Sequence, residues 1–397
     1  MEFKKKTLKN GLTILFEKRD VPVTTVMLAT KFGAVYENAE EKGIAHFIEH
    51  LCFKGTKTRT PREIAFEVES VGGNLNAFTS EEETAYHVKL PSQHLELAMN
   101  VIFDIFFNPI FPEEEIKKEA NVICEEIKMY EDDPRNHTIE QIKSCLYKAP
   151  FGMFIAGTQE NVKSMSREQL MSKHDKYYFP GNSILAVVGN NDFEEVVKLA
   201  EKFSNYQNIE DKANIPEIKE FNLEKKESRD NLQQANIAIG FHFPKISEKE
   251  RYSAEVFSAI LGEGMSSKLF TEVREKRGLA YAVKAIQDTG KNYGYFIIYI
   301  GTEKAKIDEV IKICVEEFSK MKFISEKELE DGKKQVSGNY DVESEDSSNA
   351  AISLILEEIG GDAENHYKFK EEIKKVSLED IKALASKTEY SYFVLSP

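Results

Sequence analysis

Three segments of this chain recur later in it, in the same order, and that repetition limits the folds open to it more than any other feature. Phe66-Glu67-Val68-Glu69-Ser70-Val71-Gly72-Gly73 is echoed by Phe270-Thr271-Glu272-Val273-Arg274-Glu275-Lys276-Arg277-Gly278, each followed by strand-like sequence. The apolar helix and proline-bearing turn of 102–116 are echoed by 311–329, and 164–170 by 375–381. One echo is noise; three in order indicate a duplicated unit. At 397 residues the chain is long for one core and suits two to three domains. The expected fold class is α+β, with two duplicated domains that each pack an antiparallel or mixed sheet against helices. The expected division is 1–205, a polar linker at 206–222, and 223–397.

Within the first half, alternation predicts strands at 12–17, 24–29, 74–79 and 84–90, and an apolar run predicts a buried strand at 183–189. Helical periodicity covers 43–53, 61–71, 94–107 and 112–130.

The charge balance excludes several functions. With 68 acidic and 53 basic residues the formal charge is −15, which argues against nucleic acid or an anionic membrane as the main partner. No run of apolar residues reaches membrane-spanning length, and the basic start leads into no signal-peptide core. Cys52, Cys124, Cys145 and Cys314 form no CxxC pair and read as free thiols in a reducing compartment. A cytoplasmic location is expected.

The densest chemical signal is His46-Phe47-Ile48-Glu49-His50. At about 100° per residue, Ile44, Phe47, Ile48 and Leu51 gather on one helix face and His46, Glu49 and His50 on the other. Imidazoles at i and i+4 are neighbours one turn apart, as two nitrogen ligands of one zinc require. A carboxylate between them lies where it can act on the water such a metal activates. The order His-x-x-Glu-His is that of the inverzincins. A catalytic zinc takes a third protein ligand and keeps an open position. On the helix 112–130, Ile116, Ala120, Ile123, Ile127 and Tyr130 form the apolar stripe, flanked on one side by Glu119 and Glu126. Periodicity therefore favours Glu126 over Glu125 as the inward carboxylate, with Glu119 as its supporting partner. Two surface glutamates is the bland alternative.

At this point the sequence resembles the pitrilysin/insulinase family of inverted-motif zinc peptidases, and most of all its short-chain branch, which includes the mitochondrial processing peptidase and its bacterial and archaeal relatives. The resemblance rests on Ala45-His46-Phe47-Ile48-Glu49-His50-Leu51, Phe53-Lys54-Gly55-Thr56, Gly72-Gly73-Asn74-Leu75-Asn76-Ala77-Phe78-Thr79, Thr84-Ala85-Tyr86 and Glu125-Glu126-Ile127-Lys128-Met129-Tyr130. It extends over essentially the whole chain. It implies that His46, His50 and Glu126 ligate one Zn2+, that Glu49 is the general base and that Glu119 supports the site. It also implies that Asn76, Ala77, Phe78 and Thr79 form the edge strand on which an extended peptide docks by β-augmentation.

In the second half, Arg274-Glu275-Lys276-Arg277-Gly278-Leu279-Ala280-Tyr281 matches a further family motif, whose Arg and Tyr bind the substrate backbone and stabilise the tetrahedral intermediate. Read from the residues alone, Arg274 is a surface helix charge and Tyr281 a strand core residue. The second copy of the histidine helix, near 255–262, has no histidine, so one zinc per chain follows. Relatives enclose peptides between four repeats. With two repeats here, the resemblance implies a homodimer, or a heterologous partner subunit, acting on peptides or unfolded segments. The rival reading is a catalytically silent scaffold subunit of the same fold.

Overall fold

The structure is a computed structural model and describes residues 2–206, 215 and 217–397. Residues 207–214 and 216 of the expected linker lie outside the described residues. The strands are β1 (Glu2–Thr7), β2 (Thr13–Lys18), β3 (Val23–Thr30), β4 (Asn74–Thr79), β5 (Thr84–Pro91), β6 (Ser183–Gly189), β7 (Glu224–Ser228), β8 (Ala235–His242), β9 (Ala280–Thr289), β10 (Gly294–Thr302) and β11 (Ser391–Ser396). The helices of the first half are α1 (Ile44–Cys52), α2 (Pro61–Glu69), α3 (Leu95–Phe107), α4 (Glu113–Asp132), α5 (Pro134–Leu146), α6 (Gln159–Ser164), α7 (Arg167–Tyr177) and α8 (Phe193–Phe203). Those of the second are α9 (Arg251–Gly262), α10 (Ile307–Lys320), α11 (Glu326–Glu343), α12 (Ser347–Gly360), α13 (Asn365–Lys375) and α14 (Leu378–Ala385).

Two mixed sheets carry the fold. One is six-stranded, in the order β1-β2-β6-β3-β5-β4, and the other five-stranded, in the order β7-β11-β8-β10-β9. From β2 to β4 the first sheet pairs parallel once and then antiparallel three times. From β7 to β9 the second repeats that series of senses. The duplication is therefore topological as well as sequential. The third echo has a local cause: Ser166 with Gln169 and Ser377 with Asp380 form the capping boxes that start α7 and α14. The first echo is looser, because α2 is answered by a π-helical turn at Phe270–Glu275. β1 is the strand that alternation does not announce. Lys4, Lys5 and Lys6 give it no apolar face, and it adds to the sheet through backbone register with β2.

Two compact units result, and neither is a contiguous half of the chain. One comprises Met1–Ile127, Phe154–Pro216 and Glu343–His366; the other comprises Lys128–Met153, Glu217–Val342 and Tyr367–Pro397. Compared with the expected division, each half lends the other's unit one segment. In the first unit, α12 from the second half packs on β3 and β6. Its start is tied down by Thr25 and Ser347, whose hydroxyls lie 2.8 Å apart, and by Lys89 with Asp346 at 2.8 Å. In the second unit, α5 from the first half packs on β8 and β11. Gly240 of β8 is needed there, since a Cβ would meet Leu146 Cδ1 at 2.7 Å and Ile142 Cγ1 at 3.0 Å. Each unit has its own apolar core. Among the described residues no helix is long and apolar enough to cross a membrane.

Candidate metal centre

Helix α1 buries Ile44, Ala45, Phe47, Ile48, Leu51 and Cys52 and leaves His46, Glu49 and His50 partly exposed on its other face, as the periodicity predicts. Its start is unusual. The residue before it, Gly43, is left-handed at φ 101° and carries no capping side chain, and a Cβ there would lie 2.4 Å from the Ala156 carbonyl oxygen. The cap comes from upstream. Glu37 accepts the Gly43 and Ala45 backbone N–H groups at 3.1 and 2.8 Å, which supplies acceptors at the helix N-terminus, while burial pushes its carboxyl up to about 7 against the Lys42 ammonium and these two bonds. Lys42, fully buried, faces the same carboxylate at 3.7 Å and donates to the Ala34 carbonyl at 2.8 Å.

Helix α4 brings the carboxylates. Ile116, Ile123 and Ile127 are buried and Glu125 is exposed, while Glu119 is buried and Glu126 half-buried. Glu126 Oε2 lies 3.7 Å from His46 Nε2 and 3.7 Å from His50 Nε2. The two imidazoles stand edge to face at 4.7 Å between ring centres. One potential ligand atom from each of His46, His50 and Glu126 lies within 4.8 Å of the others.

This donor set fits a zinc ion. Ligand bonds of about 2.0–2.1 Å at tetrahedral angles put ligand atoms roughly 3.3 Å apart, a few tenths of an ångström inside the two 3.7 Å separations from Glu126. Two imidazole nitrogens and a carboxylate oxygen leave one position open. Burial, helped by the neighbouring His50, pushes the His46 imidazole down to about 3, so it is neutral and its lone pair is available. Among the described residues, the buried His46 Nδ1 has no hydrogen-bond partner.

His50 is oriented by Glu119. A carboxylate accepts, so His50 Nδ1–H donates to Glu119 Oε2 at 3.1 Å and Nε2 is left to face Glu126. The other oxygen, Oε1, takes the Lys54 ammonium at 2.8 Å. Burial opposes the Glu119 charge, but the bonds from His50 and Lys54 outweigh it and hold the carboxyl below its ordinary range. Glu49 shows the reverse balance: burial raises it, against a lowering bond from Thr79.

Asn76, Ala77, Phe78 and Thr79 lie on β4, the terminal strand of its sheet, with one edge paired to β5. Thr79 also does something its place on a strand does not signal: its hydroxyl donates to Glu49 Oε2 at 2.6 Å. Glu37 is likewise a partner that no motif points to, and Lys54 lies in the Phe53-Lys54-Gly55-Thr56 match, which assigns it no role. The nearest sequence signal is that Lys54 follows His50 by four residues.

Arg274 and Tyr281 lie together in the other unit. Arg274, in the π-helical turn, sits over the Phe270 ring and donates from Nη1 to the Tyr281 carbonyl at 2.8 Å. Tyr281, near the start of β9, is 54% exposed, which corrects its reading as a core residue. Its ring lies across Gly301, where a Cβ would sit 2.5 Å from it. Helix α9, the counterpart of α1, presents Ser258 and Glu255 to the side-chain amide of Gln287, at 2.5 and 3.1 Å.

The chain is similar to known proteins along most of its length. The family profile described as insulinase (Peptidase family M16) matches residues 13–159, and that described as Peptidase M16 inactive domain matches 164–336. A protein of Rickettsia felis named an uncharacterized zinc protease is 38% identical over 84% of this chain and 81% of its own length. The uncharacterized zinc protease YmxG of Bacillus subtilis is 33% identical over 99% of this chain and 98% of its own. In fold, the crystal structure of a protease from Helicobacter pylori superposes with a TM-score of 0.92 at 24% identity, covering 100% of this chain and 99% of that one. On the match of sequence along both halves, the chain belongs to the insulinase family, peptidase family M16.

Proposed function

We propose that this chain is a zinc-dependent endopeptidase that hydrolyses peptides or unfolded segments. The observation that carries the reading is the convergence of His46, His50 and Glu126 within 4.8 Å, with the half-buried carboxylate of Glu49 on the same helix face. In this reading the three residues hold one Zn2+ per chain. When bound, the ion supplies a Lewis acid that polarises a substrate carbonyl and acidifies water.

The chain's own residues do the rest. Glu119 keeps His50 in the tautomer that offers Nε2. Glu49 takes the proton of the attacking water and returns it to the leaving amine nitrogen, as general base and then general acid. The outer edge of β4, where Ala77 N–H donates to Asn76 Oδ1 at 2.9 Å, offers backbone groups to an extended peptide, which suits loose side-chain preference. In the other unit, Arg274 and the Tyr281 phenol are the cation and O–H donor assigned to the substrate backbone and its developing oxyanion. Association of two such chains in solution belongs to the same proposal, and so does a cytoplasmic setting.

A second reading, a silent scaffold of the same fold, is favoured by the description of the profile over 164–336 as an inactive domain. Against it stands the complete set at residues 46, 49, 50 and 126. Hydrolysis of an internally quenched peptide, with zinc measured by elemental analysis, separates the two for wild type and Glu49→Gln. About one zinc per chain in both, with cleavage by wild type only, supports the peptidase. Zinc in wild type without cleavage, alone and with added candidate partner subunits, favours the scaffold.

A further inference from the structure

Thr79 closes the β4–β5 hairpin, paired in register with Thr84, and the turn between them is fastened by Ser80 N–H donating to the Glu83 carbonyl at 2.8 Å. Its hydroxyl has one proton and two acceptors in reach. Glu49 Oε2 is at 2.6 Å and Thr84 Oγ1 at 3.4 Å. Thr84 spends its own proton on the Phe32 carbonyl at 2.9 Å, so it does not return a bond to Thr79. The cross-strand Thr–Thr pair is thus the weaker contact, and the proton of Thr79 goes to the carboxylate. Among the described residues Glu49 Oε1 has no hydrogen-bond partner.

We propose that Thr79 is a positioning residue for Glu49: its hydroxyl, carried on the edge strand, holds Oε2 and leaves Oε1 as the atom that moves the proton. This rests on the reading of Glu49 given above and sharpens it to a single atom. It also reassigns Thr79, whose side chain serves the base while its backbone belongs to the edge offered to a peptide. A donor on a paired strand holds its partner more closely than one on a loop. Occupation of the β4 edge by substrate and the aim of the base then depend on one residue.

The test compares Thr79→Val, Thr79→Ala and Thr79→Ser with wild type and Glu49→Gln for kcat, KM and zinc content. A misaimed reacting group costs up to ~100-fold in rate, so kcat of Thr79→Val should fall by ~10–100-fold, with KM within about twofold and zinc near one per chain. Thr79→Ser, which keeps the hydroxyl, should recover most of kcat. Thr79→Ala gives a second donor-free side chain should valine not fold. A crystal structure of either donor-free variant should show the Glu49 carboxylate turned. Unchanged kcat in both donor-free variants, or a Thr79→Ser variant as impaired as they are, overturns the inference while the peptidase reading stands. Full activity of Glu49→Gln overturns both.

Discussion

Lys54 Nζ lies 2.8 Å from Glu119 Oε1, on the carboxylate whose other oxygen accepts from His50 Nδ1 at 3.1 Å. Four residues beyond His50 and just past the end of α1, a lysine thus completes a relay that ends at the imidazole of a candidate ligand. Removing partners of this kind weakens metal binding by about 10–100-fold in other sites. Lys54→Met should raise the zinc dissociation constant by a factor in that range, and Lys54→Arg should recover much of the affinity. Competition with a chromogenic chelator reads this directly; equal constants for wild type and Lys54→Met would remove Lys54 from the site.

Glu126 and Glu125 are neighbours in sequence with opposite prospects. Glu126 faces both imidazoles and Glu125 is exposed. Glu126→Gln should bind far less zinc after dialysis, while Glu125→Gln should keep about one ion per chain. Loss of zinc on the second substitution instead would invert the ligand assignment.

The cap on α1 predicts a stability effect remote from any chemistry. Glu37→Ala removes the acceptor of two buried backbone N–H groups and leaves the Lys42 ammonium buried without its carboxylate. Breaking one side of a buried pair costs roughly 3–5 kcal/mol. The urea midpoint of the unit should drop accordingly, and the metal should be held less tightly because His46 lies in the first turn of the same helix. A variant as stable as wild type would show that α1 finds its cap elsewhere.

Asp346 gives a pH dependence with a definite sign. The Lys89 ammonium at 2.8 Å, with the Ser348 backbone N–H, holds its carboxyl down to about 2. A carboxyl depressed in the folded state stabilises above its unfolded value near 4, and that contribution fades as pH falls towards 2. Both side chains are partly exposed, so the gain is about 1 kcal/mol at most. Asp346→Asn should therefore be slightly less stable than wild type at pH 7 and match it by about pH 2. A difference that grows on acidification would contradict the pairing.

Tyr281→Phe removes only the phenol O–H of a side chain that is more than half exposed. Loss of one oxyanion donor costs about 100–1,000-fold in kcat in other hydrolases. A fall of that order with zinc content unchanged is expected, and an unaltered kcat would return Tyr281 to a packing role.

Much of this was legible one helical turn or one strand at a time. The apolar stripe of α1 by itself places His46, Glu49 and His50 on a common face, and that of α4 turns Glu125 outward and Glu126 inward. The strand limits of β4 and β6 follow from composition and flanking turns, and the echoes foretold two sheets of one topology. These are local rules, and the sequence determines them because a side chain's direction on a helix or strand depends on its own backbone and immediate neighbours. Which distant groups meet is a different matter. Neither α5 nor α12 is among the helices that the periodicity predicts, two sheets of the same strand order are available to cover, and only packing assigns each helix to the sheet of the other half. The meeting of Glu126 with the two histidines, of Lys54 with Glu119 and of Thr79 with Glu49 has the same origin. A hydrogen bond has a reach of about 3 Å, and spacing along the chain carries no such information once the chain has turned back on itself.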